Sequence, residues 1–338
     1  MTLADFPVKA DESGTPTRPP GTGWRIGSVE ILAALLIAVV VLRGWLTGLL
    51  SPPQIQTWAT VFVSIVVQAM PFLVLGVLLS AVIAVFVPPS FFSRALPKHP
   101  AMAVPVASAA GVVLPGCECG SVPVAGALVR RGVAPAAAFA FLLAAPAINP
   151  IVLVATAVAF PKNPEMVAAR FGASILTAMT MGWLWLRLGK TEWLRLPRRA
   201  HLDGLSKWRA FWASCRHDLM HAGSFLVVGG LTAATLNVVV PAAWLQAVAG
   251  HPVLSVAALA LLAVVLSICS EADAFVAASL TDFSLTARLA FLVVGPMIDL
   301  KLFSMQAGMF GRRFATRFAP TTLVVAVLVS VLVGAVLL

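Results

Sequence analysis

A few residues able to do chemistry stand inside stretches that are otherwise apolar. Cys117 and Cys119 flank Glu118 in Pro115-Gly-Cys117-Glu-Cys119-Gly120. Far along the chain, Cys269-Ser-Glu271-Ala-Asp273 repeats the combination of thiol and carboxylate. Thiolates prefer soft, thiophilic ions, so Cys117, Cys119 and Cys269 together could hold a metal or metalloid. A Cys-x-Cys pair is closer than zinc-ribbon spacing, and buried cysteine is also ordinary packing. The expectation of a three-thiol site rests on where these residues fall. Each cysteine sits at a polar knot in the middle of a long apolar run. Cys215, near a basic loop, is read as inert.

Two further knots follow. Ala144-Ala-Pro146-Ala-Ile-Asn149-Pro150 and Val294-Gly-Pro296-Met-Ile-Asp299-Leu-Lys301 each interrupt an apolar helix with Pro and a polar side chain. Asn149 and Asp299 are candidate substrate-binding groups at matching places. Glu118, Glu271, Asp273 and Lys301 are candidates for cation or proton coupling, because a charge in mid-bilayer costs at least ~2.5 kcal/mol and is retained for function or internal pairing. Structural pairing of Lys301 with Asp299 or Asp273 is the alternative for that lysine. His99 and His251 read as loop residues ahead of proline. His217 and His221 read as capping or snorkelling groups near a helix start, with lining a mouth as the alternative.

The elements that must position these groups are membrane helices. Hydrophobic residues make up 60% of the 338 and charged residues only 11%, against roughly 25% charged in soluble domains. The net charge of +10 is carried by short Lys/Arg clusters between apolar runs, a pattern of cytoplasmic loops. The basic run Arg187–Arg216 is matched to lipid head groups, not to nucleic acid. Candidate spans of roughly 20 or more residues are 28–50, 57–87, 133–160, 165–188, 217–240, 284–310 and 318–338. Residues 101–131 and 252–281 are long but broken at their cysteine knots.

Residues 57–160 also superpose on 210–310. Gln68–Gly76 falls on His221–Gly229, Pro88 on Pro241, His99-Pro100 on His251-Pro252 with one residue of slippage, and Cys117 on Cys269. After a small gap, Phe141 falls on Phe291, Pro146 on Pro296 and Asn149 on Asp299. If 101–131 and 252–281 are both re-entrant hairpins, every Lys and Arg falls on one side except Arg43, Lys162, Arg170, Arg288 and the embedded Lys301. If both cross, the split is nearly even. The positive-inside rule therefore favours hairpins. Each repeat then holds three crossings, and the second must enter from the opposite face, as in many secondary transporters.

The expected fold is all-α and integral to the membrane. It comprises a cytoplasmic, disordered tail (1–27), an N-terminal transmembrane helix (28–50), repeat 1 (57–188), a basic cytoplasmic loop (189–216) and an inverted repeat 2 (217–338). Each repeat runs helix, re-entrant hairpin, broken helix, helix, for about seven full spans and two re-entrant hairpins. The first apolar run is too long for a cleaved signal. Gly189-Lys190-Thr191 lacks the first glycine of a phosphate loop, since Leu184 takes its place, and no metalloprotease or serine-hydrolase motif occurs. No enzyme activity, cofactor or nucleic-acid partner is expected.

The stretches Pro115–Pro123 and Phe141–Pro150, with Cys269–Phe275 and Gly295–Lys301, resemble the predicted permeases that include the organoarsenical efflux permeases. The likeness covers about 57–310. It implies a permease whose Cys117 and Cys119 bind trivalent organoarsenicals during efflux. The sequence thus points to a secondary permease of the bacterial plasma membrane, N-terminus cytoplasmic, exporting a thiophilic metalloid or metal compound. A zinc-like divalent metal is the alternative cargo. A second reading is a membrane subunit working with a partner protein, docked through the Trp-rich 187–217 loop (Trp193, Trp208, Trp212). A thiol oxidoreductase is the third, disfavoured because redox pairs are usually Cys-x-x-Cys.

Overall fold

A computed structural model describes residues 52–97, 99–113, 117–196, 206–239 and 251–338. The tail and the expected helix at 28–50, with Pro115 and Gly116 of the first knot, lie outside the described residues. Among those described there is no strand.

The N-terminal half contains α1 (Pro53–Val85), α2 (Pro89–Ala95), α3 (Pro100–Ala110), α4 (Glu118–Arg130), α5 (Pro135–Ile148), α6 (Pro150–Ala159) and α7 (Glu165–Leu188). The C-terminal half contains α8 (Lys207–Val239), α9 (Pro252–Leu266), α10 (Asp273–Ser279), α11 (Leu285–Met297), α12 (Leu300–Phe310) and α13 (Arg312–Leu337). Apart from α2, the described elements follow the same order in both halves: a long helix, a short helix, a cysteine-bearing break, another short helix, a broken helix, then a long helix.

Among the described residues, five stretches are long and apolar enough to cross a membrane: α1, α5 with α6, α7, α8 and α13. The residues of the expected span at 284–310 form two shorter helices, α11 and α12, split at the knot. Three helices begin earlier than hydropathy suggests. α1 starts at 53, not 57; α8 at 207, not 217; α13 at 312, not 318. The first turns of α8 and α13 carry Lys and Arg, and that of α1 carries Gln54 and Gln56, which lower hydropathy but not helix propensity.

Local chemistry sets the breaks. α3, α5, α6 and α9 all start on proline, whose missing N–H is no loss in a first turn. At Asn149-Pro150 the residue before proline is extended (ψ 154°) and α5 cannot run on. The matching break lacks a proline after it. There Ile298 and Asp299 are extended, and the Asp299 carboxylate takes the Leu302 N–H at 2.6 Å. Asn149 does the same with Val152 N–H at 2.9 Å. Each residue caps the helix that follows.

Two glycines let long helices close on the centre. A Cβ on Gly76 of α1 would collide with the backbone of Gly120 in α4, and one on Gly229 of α8 with the backbone of Lys301 in α12. These glycines match in the sequence superposition, yet α1 closes on the helix after the first cysteine knot and α8 on the second half of its broken helix.

Contacts define two ends. At one end, Trp58 at the start of α1 bonds Thr235 near the end of α8, and Gly334 of α13 abuts Thr286 of α11. At the other, Phe86 packs on Trp208 and Phe211, Arg131 donates to the carbonyls of Ile83 and Ala84, the Phe310 carbonyl accepts from Arg195 N–H, and Arg317 lies over Trp193. The start of α3 and the end of α4 share this second end: Pro97, Pro100 and Ala103 line one pocket with Arg131, Gly132, Val133 and Ala134.

Candidate functional site

The four described breaks bring their polar groups to the interface between the halves. Cys117 caps the start of α4, Glu118 is the first residue of that helix, and Cys119 follows. All three are fully buried, and their ligand atoms lie within 4.8 Å of one another. Cys269 comes from the other half. Its thiol and that of Cys119 lie within side-chain hydrogen-bonding reach of Cys117. Residues far apart in sequence thus form one thiol cluster with a carboxylate inside it.

Lys301 binds this cluster to the C-terminal half. Its side chain is fully buried, and Nζ sits 2.6 Å from Glu118 Oε1 and 3.4 Å from Asp299 Oδ2. It donates to the Ser267 carbonyl at 2.9 Å and approaches Cys269 Sγ at 3.9 Å. Ser267 supplies that carbonyl from a left-handed turn (φ 51°) ending α9. Glu118 Oε2 has no hydrogen-bond partner among the described residues, and Asp299 Oδ2 meets Lys301 only as an ion pair. A buried carboxylate oxygen left open this way is costly unless something else occupies it.

Asp273 belongs to a separate pair. The Arg170 guanidinium, fully buried in α7, meets Asp273 Oδ2 at 2.8 Å and donates to Thr156 Oγ1 at 2.8 Å and the Ser270 carbonyl at 3.3 Å. Ser270 is the neighbour of Cys269, so this pair is tied to the backbone next to that thiol. Glu271 is half-buried beside both groups, with Oε1 lacking a hydrogen-bond partner among the described residues. Asn149 is fully buried; its Oδ1 accepts from Val152 N–H and its Nδ2 donates to the Ala145 carbonyl at 3.5 Å.

The sequence therefore led to the thiols, Glu118, Asp299 and Lys301 as neighbours. It did not lead to Arg170, which was counted with the extramembrane charges. The overlooked signal was its position: Arg170 is the sixth residue of a 24-residue helix and faces inward with Met166, Ala169 and Ala173. The partner options for Lys301 resolve to Asp299 and Glu118, since Asp273 is held by Arg170. His217 and His221 are not caps, because α8 begins ten residues before His217. His221 Nε2 lies 3.1 Å from the Gly308 carbonyl, and His217 Nδ1 lies 3.4 Å from Asp218 Oδ1. His99 and His251 do precede proline at helix starts and make no side-chain cap.

A groove of about 870 Å³ runs along α1, α2, α3, α4 and α5, lined by residues such as Leu79, Phe91, Phe92, Val106 and Leu128. None of its walls is polar, so it is a place for hydrocarbon and not for the chemistry of the thiols.

A protein-family profile described as "Predicted permease" matches residues 54–335. The chain is 31% identical over 291 residues to a putative two-component membrane permease complex subunit of Streptococcus mutans, covering 84% of this chain and 97% of that protein. It is 36% identical over 262 residues to the UPF0718 protein YcgR of Bacillus subtilis, covering 75% of this chain and 89% of that one. No solved structure matches the chain.

Proposed function

Because the chain belongs to the predicted permease family over nearly all its described length, we propose that it is a secondary permease exporting a thiophilic metalloid or metal compound, such as a trivalent organoarsenical. Cys117, Cys119 and Cys269 hold the cargo. One observation carries this reading: thiols from both halves meet at a fully enclosed place together with a carboxylate that has an open oxygen. Soft ions are what such a donor set selects.

Lys301 serves as a resident cation. With no cargo, its ammonium neutralises Glu118 and partly Asp299. A cargo arriving on the thiols displaces their protons, and the nearby carboxylates Glu118, Glu271, Asp273 and Asp299 carry those protons away. Asn149 and Asp299 fix the broken helices that frame the site, and Asp299 adds its second oxygen to it.

The topology is the inverted repeat with two re-entrant hairpins. For the first hairpin, support comes from Pro97–Ala103 and Arg131–Ala134 lining one pocket, so that the segment leaves and returns at one end. That end carries Arg94, Arg130, Arg131, Arg187, Lys190, Arg195, Lys207, Arg209, Arg216, Arg312, Arg313 and Arg317, and the opposite end Lys162 and Arg288. By the positive-inside rule the basic end is cytoplasmic in a bacterial plasma membrane, with the N-terminus on the same side. Labelling of single introduced cysteines that placed 88–100 outside would overturn this arrangement.

Transport into inside-out vesicles, across a panel of trivalent organoarsenicals and divalent metals, tests the function. We expect uptake of a thiophilic member and its loss in a Cys117→Ala/Cys119→Ala variant. Unchanged uptake in that variant removes the thiols from the mechanism, and uptake of zinc alone moves the cargo to a divalent metal. A second reading has its own support: the Streptococcus mutans relative is named as one subunit of a two-component complex, and Trp208 and Trp212 at the start of α8 are exposed. On that reading the protein needs a partner seated at the 187–217 loop. Co-purification of a stoichiometric partner, with no flux in its absence, would select it.

A further inference from the structure

Among the described residues, ion pairs join the two halves at three depths. Glu118–Lys301 is in the middle. Toward the end marked by Lys162 and Arg288 lies Arg170–Asp273, fully enclosed and hydrogen-bonded to the carbonyl next to Cys269. Toward the basic end lies Asp218 of α8, which meets Arg130 of α4 at 3.9 Å, His217 at 3.4 Å and the Ser80 hydroxyl of α1 at 3.0 Å. Arg130 ends the helix that Glu118 begins, so about 18 Å of helix separates this pair from the thiols.

We propose that Arg170–Asp273 and Arg130–Asp218 are the two gates of the path, each closing the thiol site from one side. This rests on the permease reading. Each pair links an element next to the cysteine knots of one half to a helix of the other. Separating the halves at either end must therefore break the pair there. The two gates differ in state. Side-chain exposure is 0% and 3% for Arg170 and Asp273, against 18% for Arg130 and 4% for Asp218, with His217 beside Asp218 at 35%. The conformation is sealed at the first gate and wet at the rim of the second. A charged gate suits alternating access because a pair is strong only while enclosed and loses its grip once water reaches it. The two gates are then open in turn, never together.

The test needs no cargo and so stands apart from the transport assay. In a Cys215→Ala background, a membrane-impermeant cationic methanethiosulfonate is applied to intact cells or to inside-out vesicles, and modification of Cys117, Cys119 and Cys269 is read by mass spectrometry. Asp273→Asn should raise the labelling rate about a hundredfold from the face nearer Arg170, the factor implied by losing a buried pair. Asp218→Asn should raise it from the opposite face only. The swapped pair Arg170→Asp/Asp273→Arg should restore closure, which separates a gate from a lesion that merely loosens the fold. Both variants opening the same face, both faces opening in either variant, or neither variant changing the rate would overturn the proposal.

Discussion

Replacing Lys301 by Met removes the ammonium and keeps the length of the side chain. At an effective dielectric of about 20, contacts of 2.6 Å to Glu118 and 3.4 Å to Asp299 correspond to attractions of about 6 and about 5 kcal/mol. Most of that gain offsets the cost of taking three charges out of water, so the net worth of the group is far smaller than the sum. What the substitution leaves behind decides the outcome: two carboxylates in an apolar interior with no cation. Breaking a buried pair from one side costs about 3–5 kcal/mol. Unfolding of detergent-solubilised protein, followed by tryptophan fluorescence against denaturant, should report a loss in that range. Glu118→Gln in the same chain should then recover a large part of it, because it removes the carboxylate nearest the vacated ammonium, giving a coupling of at least ~1 kcal/mol in the double-mutant cycle. A Lys301→Met variant within about 0.5 kcal/mol of the parent, with no coupling to Glu118→Gln, would refute the claim that these charges depend on one another.

Other outcomes follow from the same packing. Arg170→Met should lower stability by about 3–5 kcal/mol, and Asp273→Asn should lessen that loss, as measured in the same unfolding assay. Asn149→Ala removes one cap and should cost about 1 kcal/mol, whereas Asp299→Asn should keep the cap and alter only the charge next to Lys301; their melting temperatures should separate accordingly. Gly229→Val places a branched side chain against the Lys301 backbone and should cost about 1–3 kcal/mol or more, read as reduced yield of folded protein, while Gly223→Ala, whose added Cβ would make only an ordinary contact with Leu73 Cδ2 at 4.0 Å, should be near neutral.

Much of the centre was legible in the sequence because charge and irregular backbone are rare in membrane helices and therefore informative. The cysteine knots, Asn149, Asp299 and Lys301 all announced themselves this way. Partner choice was not legible. Glu118, Asp299 and Asp273 are equivalent to a reader of hydropathy, and only the capture of Asp273 by Arg170 leaves the first two to Lys301. Arg170 was hidden for the opposite reason. It lies within two turns of a helix start, where a cation ordinarily reaches head groups, and only inward rotation of α7 tells it apart from a snorkelling residue. Helix starts at Lys207 and Arg312 were misjudged because apolarity reports the bilayer's thickness, while a helix continues past it into water. The asymmetry between Gly76 on Gly120 and Gly229 on Lys301 also escapes superposition, which compares residues and not what they touch.

The buried ion pairs have a consequence for how the molecule can be made. In three of them the counter-ion comes from the other half: Glu118 is neutralised by Lys301, Asp273 by Arg170, Asp218 by Arg130. During synthesis the N-terminal half must wait in lipid with lone charges until its complement emerges from the ribosome. Two fragments made separately would each be a poor membrane protein and a target for quality-control proteolysis, and would survive only when translated side by side.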